Sequence, residues 1–85
     1  MEQIIATISI WIQGRETASY DVNKILTQSS NLVLSRMGYN VEPKCSADCL
    51  AVICVVVRGE QEELETLNNQ LGNTKGVKSV LSIMS

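Results

Sequence analysis

Two cysteines, Cys45 and Cys49, stand in C-x3-C spacing and are the first residues whose types could do chemistry. As thiolates they could hold a metal or cycle as a redox pair. They could equally be plain loop cysteines beside Ser46 and Asp48. Tetrahedral zinc takes four ligands. This segment offers two cysteine ligands, so a metal site at Cys45 and Cys49 would draw the rest from another subunit. The third cysteine, Cys54, falls inside an apolar run and is expected to be a small core residue.

Other chemistry is excluded by what the chain lacks. It contains no histidine, which removes the commonest general base and the commonest transition-metal ligand. A serine triad or a Cys–His pair is therefore impossible within one chain. Neither a P-loop nor a G-x-G-x-x-G pattern is present. No catalytic residue is assigned, no cofactor is expected, and the chain is read as a non-enzyme. An oligomeric enzyme sharing sites between chains would need an acid–base pair that these residues do not supply. The acidic cluster Glu60, Glu62, Glu63 and Glu65 could hold a hard cation. At a helix start it is expected instead to be a solvated first turn.

Three further places could bind. Gly14 and Arg15 join an apolar segment to a helical one. They could bring backbone against a small effector at a helix N-terminus, or simply turn the chain. Arg36, Gly38 and Tyr39 cluster further on. Arg36 could bind an anion or pair with a partner's carboxylate, and Tyr39 could stack on a ligand or a neighbouring subunit. The plainer alternative places Arg36 on a solvent face and Gly38 in a bulge or turn. Trp11, with Thr7 and Tyr39, is the expected interface group, because tryptophan is enriched at binding hot spots.

The elements that position these residues follow from periodicity. Residues 4–13 alternate, with Ile4, Ala6, Ile8, Ile10 and Ile12 on one parity and Ile5, Thr7, Ser9, Trp11 and Gln13 on the other, which predicts a strand. From Arg15 to about Ser29 the period becomes helical, with Ala18, Val22, Ile25 and Leu26 on one face. A second strand is expected over 31–39 and a loop around Pro43 over 40–49. Residues 50–58, LAVICVVVR, are apolar on both parities, so this strand is central in its sheet or covered on both sides. A second helix runs from Glu60 to Leu71 on Leu64, Leu67 and Leu71, with Gly72 expected as its C′ residue. Val77 to Met84 closes the set as a fourth strand.

The order βαββαβ with right-handed crossovers predicts an α+β, ferredoxin-like sandwich: a four-stranded antiparallel sheet with both helices on one face. The first and third strands are then central. The other face shows Ile5, Thr7 and Trp11, and the second and fourth strands are edges open to pairing.

The totals set bounds. The 85 residues make one domain over 1–85. Seven basic residues against nine acidic ones leave a net charge of −2. No basic stripe exists for direct nucleic-acid binding. No apolar run approaches the ~20 residues that span a bilayer, and Met1-Glu2-Gln3 lacks a signal-peptide flank. An odd number of cysteines suits reduced thiols, so a cytoplasmic location is expected. With 45% hydrophobic residues but little length, the stability margin is thin, and association with further copies would raise it.

Four segments carry a resemblance: Ile25-Leu26 through Arg36-x-Gly38-Tyr39-x-Val41; Ala51 to Val57; Leu67 to Gly72; and Gly76 to Val80. Together they resemble the small proteins named as regulators of the iron-only hydrogenase system. The most specific pieces are Arg36-x-Gly38-Tyr39-x-Val41 and Leu71-Gly72-x3-Gly76-Val77. The resemblance implies a stand-alone ferredoxin-like fold of the ACT type, similar to the C-terminal, ligand-sensing domain of the nickel-responsive repressor. That repressor binds DNA through a separate ribbon-helix-helix domain, and with the first core strand expected from Ile4 no such domain is expected here. Its nickel site uses histidines with a cysteine, and histidine is absent here.

The expectation is a regulatory module that forms a homodimer or homotetramer. It would sense a small effector at the subunit interface, with Gly14, Arg15, Arg36, Gly38 and Tyr39 as candidates, and pass its output to a protein partner. The alternative is a metal-binding or redox protein using Cys45 and Cys49.

Overall fold

The computed structural model describes residues 3–14, 16–40 and 49–84, with backbone alone at 14, 16, 17, 39, 40 and 49. The elements run β1 (Ile4–Gly14), α1 (Glu16–Gln28), β2 (Val33–Asn40), β3 (Cys49–Gly59), α2 (Gln61–Gly72) and β4 (Val77–Ile83). The strands form one antiparallel sheet in the order β2-β3-β1-β4. The two most apolar strands are thus central, because only a central strand with one face under helices buries so many β-branched side chains without leaving its backbone unpaired.

Parity decides which side chains go inward. Ala6, Ile8, Ile10 and Ile12 of β1 are buried with Ile53, Val55 and Val57 of β3 and Val77 of β4. Against them lie Ala18, Val22 and Leu26 of α1 and Leu64, Leu67 and Leu71 of α2. No polar or charged residue belongs to the buried set among the described residues. Both helices therefore pack on one face of the sheet.

Local signals set the boundaries. Glu60 precedes α2 as its N-cap in extended conformation, and its backbone N–H donates to Glu63 Oε1 at 3.1 Å. This is the reciprocal half of a capping box. The first turn also places Glu62 and Glu63 at the positive end of the helix dipole. After α1, Leu32 N–H donates to the Ser29 carbonyl, and Arg58 N–H to that of Leu32, at 2.9 and 2.8 Å. These bonds delay the start of β2 to Val33 rather than residue 31.

Three expectations are corrected. Gly72 is not the C′ residue: it is the last residue of α2, and Asn73 caps the helix at φ −85°. The left-handed glycine among the described residues is Gly76, with φ 80° in the turn before β4. Gly72 has a different use, since a Cβ there would stand 3.1 Å from Ser79 Oγ. That hydroxyl donates to the Asn68 carbonyl at 2.9 Å and ties β4 to the last turns of α2. Gly38 is in neither a bulge nor a turn. It pairs regularly with Ile53, and the register shift falls between Val33 and Ser35, leaving Leu34 exposed. Cys54 is not in the core. It alternates with the buried Ile53 and Val55 and is exposed on the side of the sheet that no helix covers.

Candidate functional site

The helix-free face is built by register. Ile5, Thr7, Ser9, Trp11 and Gln13 of β1 lie opposite Arg58, Val56, Cys54, Val52 and Leu50 of β3. On the other flank of β1, Thr7, Ser9 and Trp11 lie opposite Ser82, Val80 and Lys78 of β4. On the β2 flank, Ser35 and Met37 stand opposite Val56 and Cys54. Paired residues leave the sheet on the same side, so these side chains share one surface.

That surface is open and mixes large apolar side chains with polar ones. Trp11 is 51% exposed, Met37 55% and Val80 62%, and Ile5 and Met84 are exposed as well. Thr7, the second residue expected at an interface, is half-buried between Val56 and Ser82. The charges on this face among the described residues are Arg58 and Lys78, both positive. The described acidic residues sit instead on the helices and at the start of α2: Glu16, Asp21, Glu60, Glu62, Glu63 and Glu65.

At the end of the face nearest Gly14, a groove of about 440 Å³ is lined by Trp11, Gln13, Leu50, Gly76, Val77 and Lys78. Its end is closed by Gln13 N–H, which donates to the Gly76 carbonyl at 2.9 Å. Of these residues only Trp11 was expected at an interface from the sequence, although Gly76 and Val77 belong to the motif that carries the family resemblance. Lys78 is one of several charged residues that alternate with apolar ones. What makes it notable is the β1–β4 register that sets it beside Trp11, and no local pattern encodes that register.

The five effector-binding candidates are placed as follows. Gly14 ends β1 opposite Cys49, and Arg36 stands opposite Val55. Those β3 positions are six residues apart, or about 20 Å at the usual strand rise. Arg36 leaves the sheet on the helix side, where its Nη2 donates to Asn23 Oδ1 of α1 at 2.6 Å. Gly38 lies between Met37 and Tyr39 in the β2 edge strand. The Tyr39 backbone pairs with Val52; its side chain lies outside the described residues, as does Arg15. One chain does not bring Gly14 and Arg36 to one place.

Cys45 also lies outside the described residues, and Cys49 is described only by its backbone, opposite Gly14. Among the described residues no group of three or more His, Cys, Asp or Glu could hold a metal ion. The acidic start of α2 borders a shallow depression of about 370 Å³ with Ser29 and Asn31. No helix among the described residues is long and apolar enough to cross a membrane.

The structure of the uncharacterized protein TM1266 from Thermotoga maritima is similar at TM-score 0.89 and 26% identity, over 99% of this chain and 100% of that one. The ACT domain from GTP pyrophosphokinase of Chlorobium tepidum is similar at TM-score 0.73 and 14% identity, over 100% and 90% of the two chains. The C-terminal domain of the MgtC protein from Mycobacterium tuberculosis is similar at TM-score 0.62 and 15% identity, over 99% and 93%. The last two likenesses concern the fold alone: the ferredoxin-like sandwich of the ACT type. No curated protein sequence matches the chain. The TM1266-like family, described as "Iron-only hydrogenase system regulator, putative", matches residues 4–80, and the chain belongs to that family.

Proposed function

We propose that the chain is a regulatory module of the iron-only hydrogenase system that associates with itself and senses a small effector where two copies meet. The observation that carries this reading is the helix-free face with its exposed Trp11, Ile5, Met37 and Val80, bounded by the unpaired edges of β2 and β4. Exposed large apolar side chains grouped on one face, here Ile5, Trp11, Met37 and Val80, often mark an interaction surface, and edge strands that nothing covers invite pairing. A chain of 85 residues also gains stability from association.

The separation of Gly14 from Arg36 supports an effector site shared between copies. Gly14 and Arg15 would come from one copy, and Arg36, Gly38 and Tyr39 from the β2 edge of another. The family membership and the ACT-type fold support a regulatory output, passed to a protein partner, rather than catalysis.

Sedimentation and light scattering of the full chain test the first half. A homodimer or homotetramer is expected, and a monomer at concentrations where the fold is intact would overturn the self-association reading. A thermal-shift screen with amino acids, nucleotides and metal ions tests the second half. A domain with a thin margin should melt measurably later when a ligand binds the folded state. No shift with any compound would remove the sensing role.

A further inference from the structure

We propose that the groove beside Trp11 binds a small anion carried on a flat apolar body, such as an aromatic carboxylate or aromatic phosphate. Lys78 would take the anionic group and the indole of Trp11 would pack on the ring. This rests on the effector reading of the chain, but it places the ligand on the open sheet face rather than at Gly14 and Arg36.

Trp11 and Lys78 are direct partners in the β1–β4 register. Their Cβ atoms therefore lie about 4.5–5.5 Å apart on the same side of the sheet. The indole is half in water, although aromatic rings gain most when a flat surface covers them. Among the described residues, Lys78 has no carboxylate partner and Trp11 no ring contact. Both groups are thus available to a third molecule, and they present two complementary demands side by side: an apolar plane and a negative charge.

The surroundings narrow the ligand. No described acidic residue lies on this face, so the charge at the groove is that of Lys78, which favours anions over cations. Leu50 supplies an apolar wall, and the Gln13 side chain beside it offers both a donor and an acceptor. A groove of about 440 Å³ falls in the range of small-molecule sites, about 300–1,000 Å³. It suits one ring-bearing molecule. Two separated cations are too few for the phosphate tracking that nucleic acid demands.

The chain has a single tryptophan, so its intrinsic fluorescence reports on this groove. Full-length protein is titrated with phenylacetate, phenyl phosphate and AMP, and with neutral phenylacetamide as the control. Saturable change in Trp11 emission is expected with the anions, with phenylacetamide at least about tenfold weaker. The phenylacetate and phenyl phosphate arms distinguish a carboxylate ligand from a phosphate one. Lys78→Met should abolish the preference for the anion over the amide. Lys78→Arg should keep it, which shows that charge rather than stem packing is read. Both substitutions fall at an exposed edge position, and circular dichroism checks that the fold is retained. Equal binding of phenylacetamide and phenylacetate, or an unchanged preference in Lys78→Met, would overturn the proposal. So would a compound that raises the melting temperature without any change at Trp11; in that case the sensing role would survive and this groove would not be its site.

Discussion

Gln13 and Gly76 hold each other at the end of the sheet: the Gln13 N–H donates to the Gly76 carbonyl at 2.9 Å, and a Cβ on Gly76 would stand 2.9 Å from the Gln13 carbonyl oxygen. The contact is between backbones, so no side-chain rotation can relieve it. Gly76 also sits at φ 80°, where any other L-residue except Asn or Asp is strained. Gly76→Ala should therefore lower the unfolding free energy by at least about 1–2 kcal/mol in urea denaturation. Gly38→Ala is the control, because its Cβ would meet Ile53 at an ordinary 3.6 Å. It should be neutral or mildly stabilising. Equal losses from the two changes would mean that the tight turn before β4 is not formed as described.

Neighbouring residues on β3 should respond in opposite ways. Val55 is fully buried and Cys54 is exposed. Val55→Ala should cost about 2 kcal/mol, from lost transfer energy and the cavity left behind. Cys54→Ala should stay within about 0.5 kcal/mol, as surface changes do. A large cost at Cys54 in dilute solution would contradict the open face directly.

Asn68 and Ser79 separate two effects on one contact. The Asn68 carbonyl accepts from Ser79 Oγ, while the Asn68 side-chain Oδ1 is buried without a partner. Ser79→Ala should cost about 1 kcal/mol, the net worth of a single hydrogen bond. Asn68→Met removes the unsatisfied acceptor but keeps the carbonyl, so it should be neutral or stabilising by up to about 1 kcal/mol. The double variant should be additive within about 0.5 kcal/mol. Strong coupling in this cycle would show that the hydroxyl binds the side chain rather than the backbone.

Cys54 also offers a readout of self-association. With Cys45 and Cys49 changed to serine, it is the sole thiol, near the middle of the open face opposite Ser9 and Met37. Its alkylation by a maleimide should be fast in dilute solution and slow as the concentration rises through the association seen by light scattering. A rate indifferent to that transition would show that copies meet elsewhere and leave the face uncovered.

Much of the architecture was legible because hydrophobic period is a local property. The alternation of Ile4 to Gln13 marked β1 and named its buried side, and Leu64, Leu67 and Leu71 marked the inner stripe of α2. Position in a pattern was less reliable for single residues. Gly72 follows the last apolar residue of α2 and so resembles a C′ glycine, yet it is small because β4 passes close by, a contact between distant segments. Cys54 lies in a run that is apolar on both parities, and composition alone could not say which parity faced the helices.

The amino-acid order by itself determined the elements, their βαββαβ succession, the two central strands and the lack of histidine chemistry, since each depends on residue types and spacings along the chain. Tertiary structure alone decided that Lys78 stands beside Trp11, that Gly14 and Arg36 are far apart, and that Cys54 faces outward. These are matters of strand register and of which face the helices occupy, set by packing the whole core at once, and no stretch of neighbouring residues encodes them.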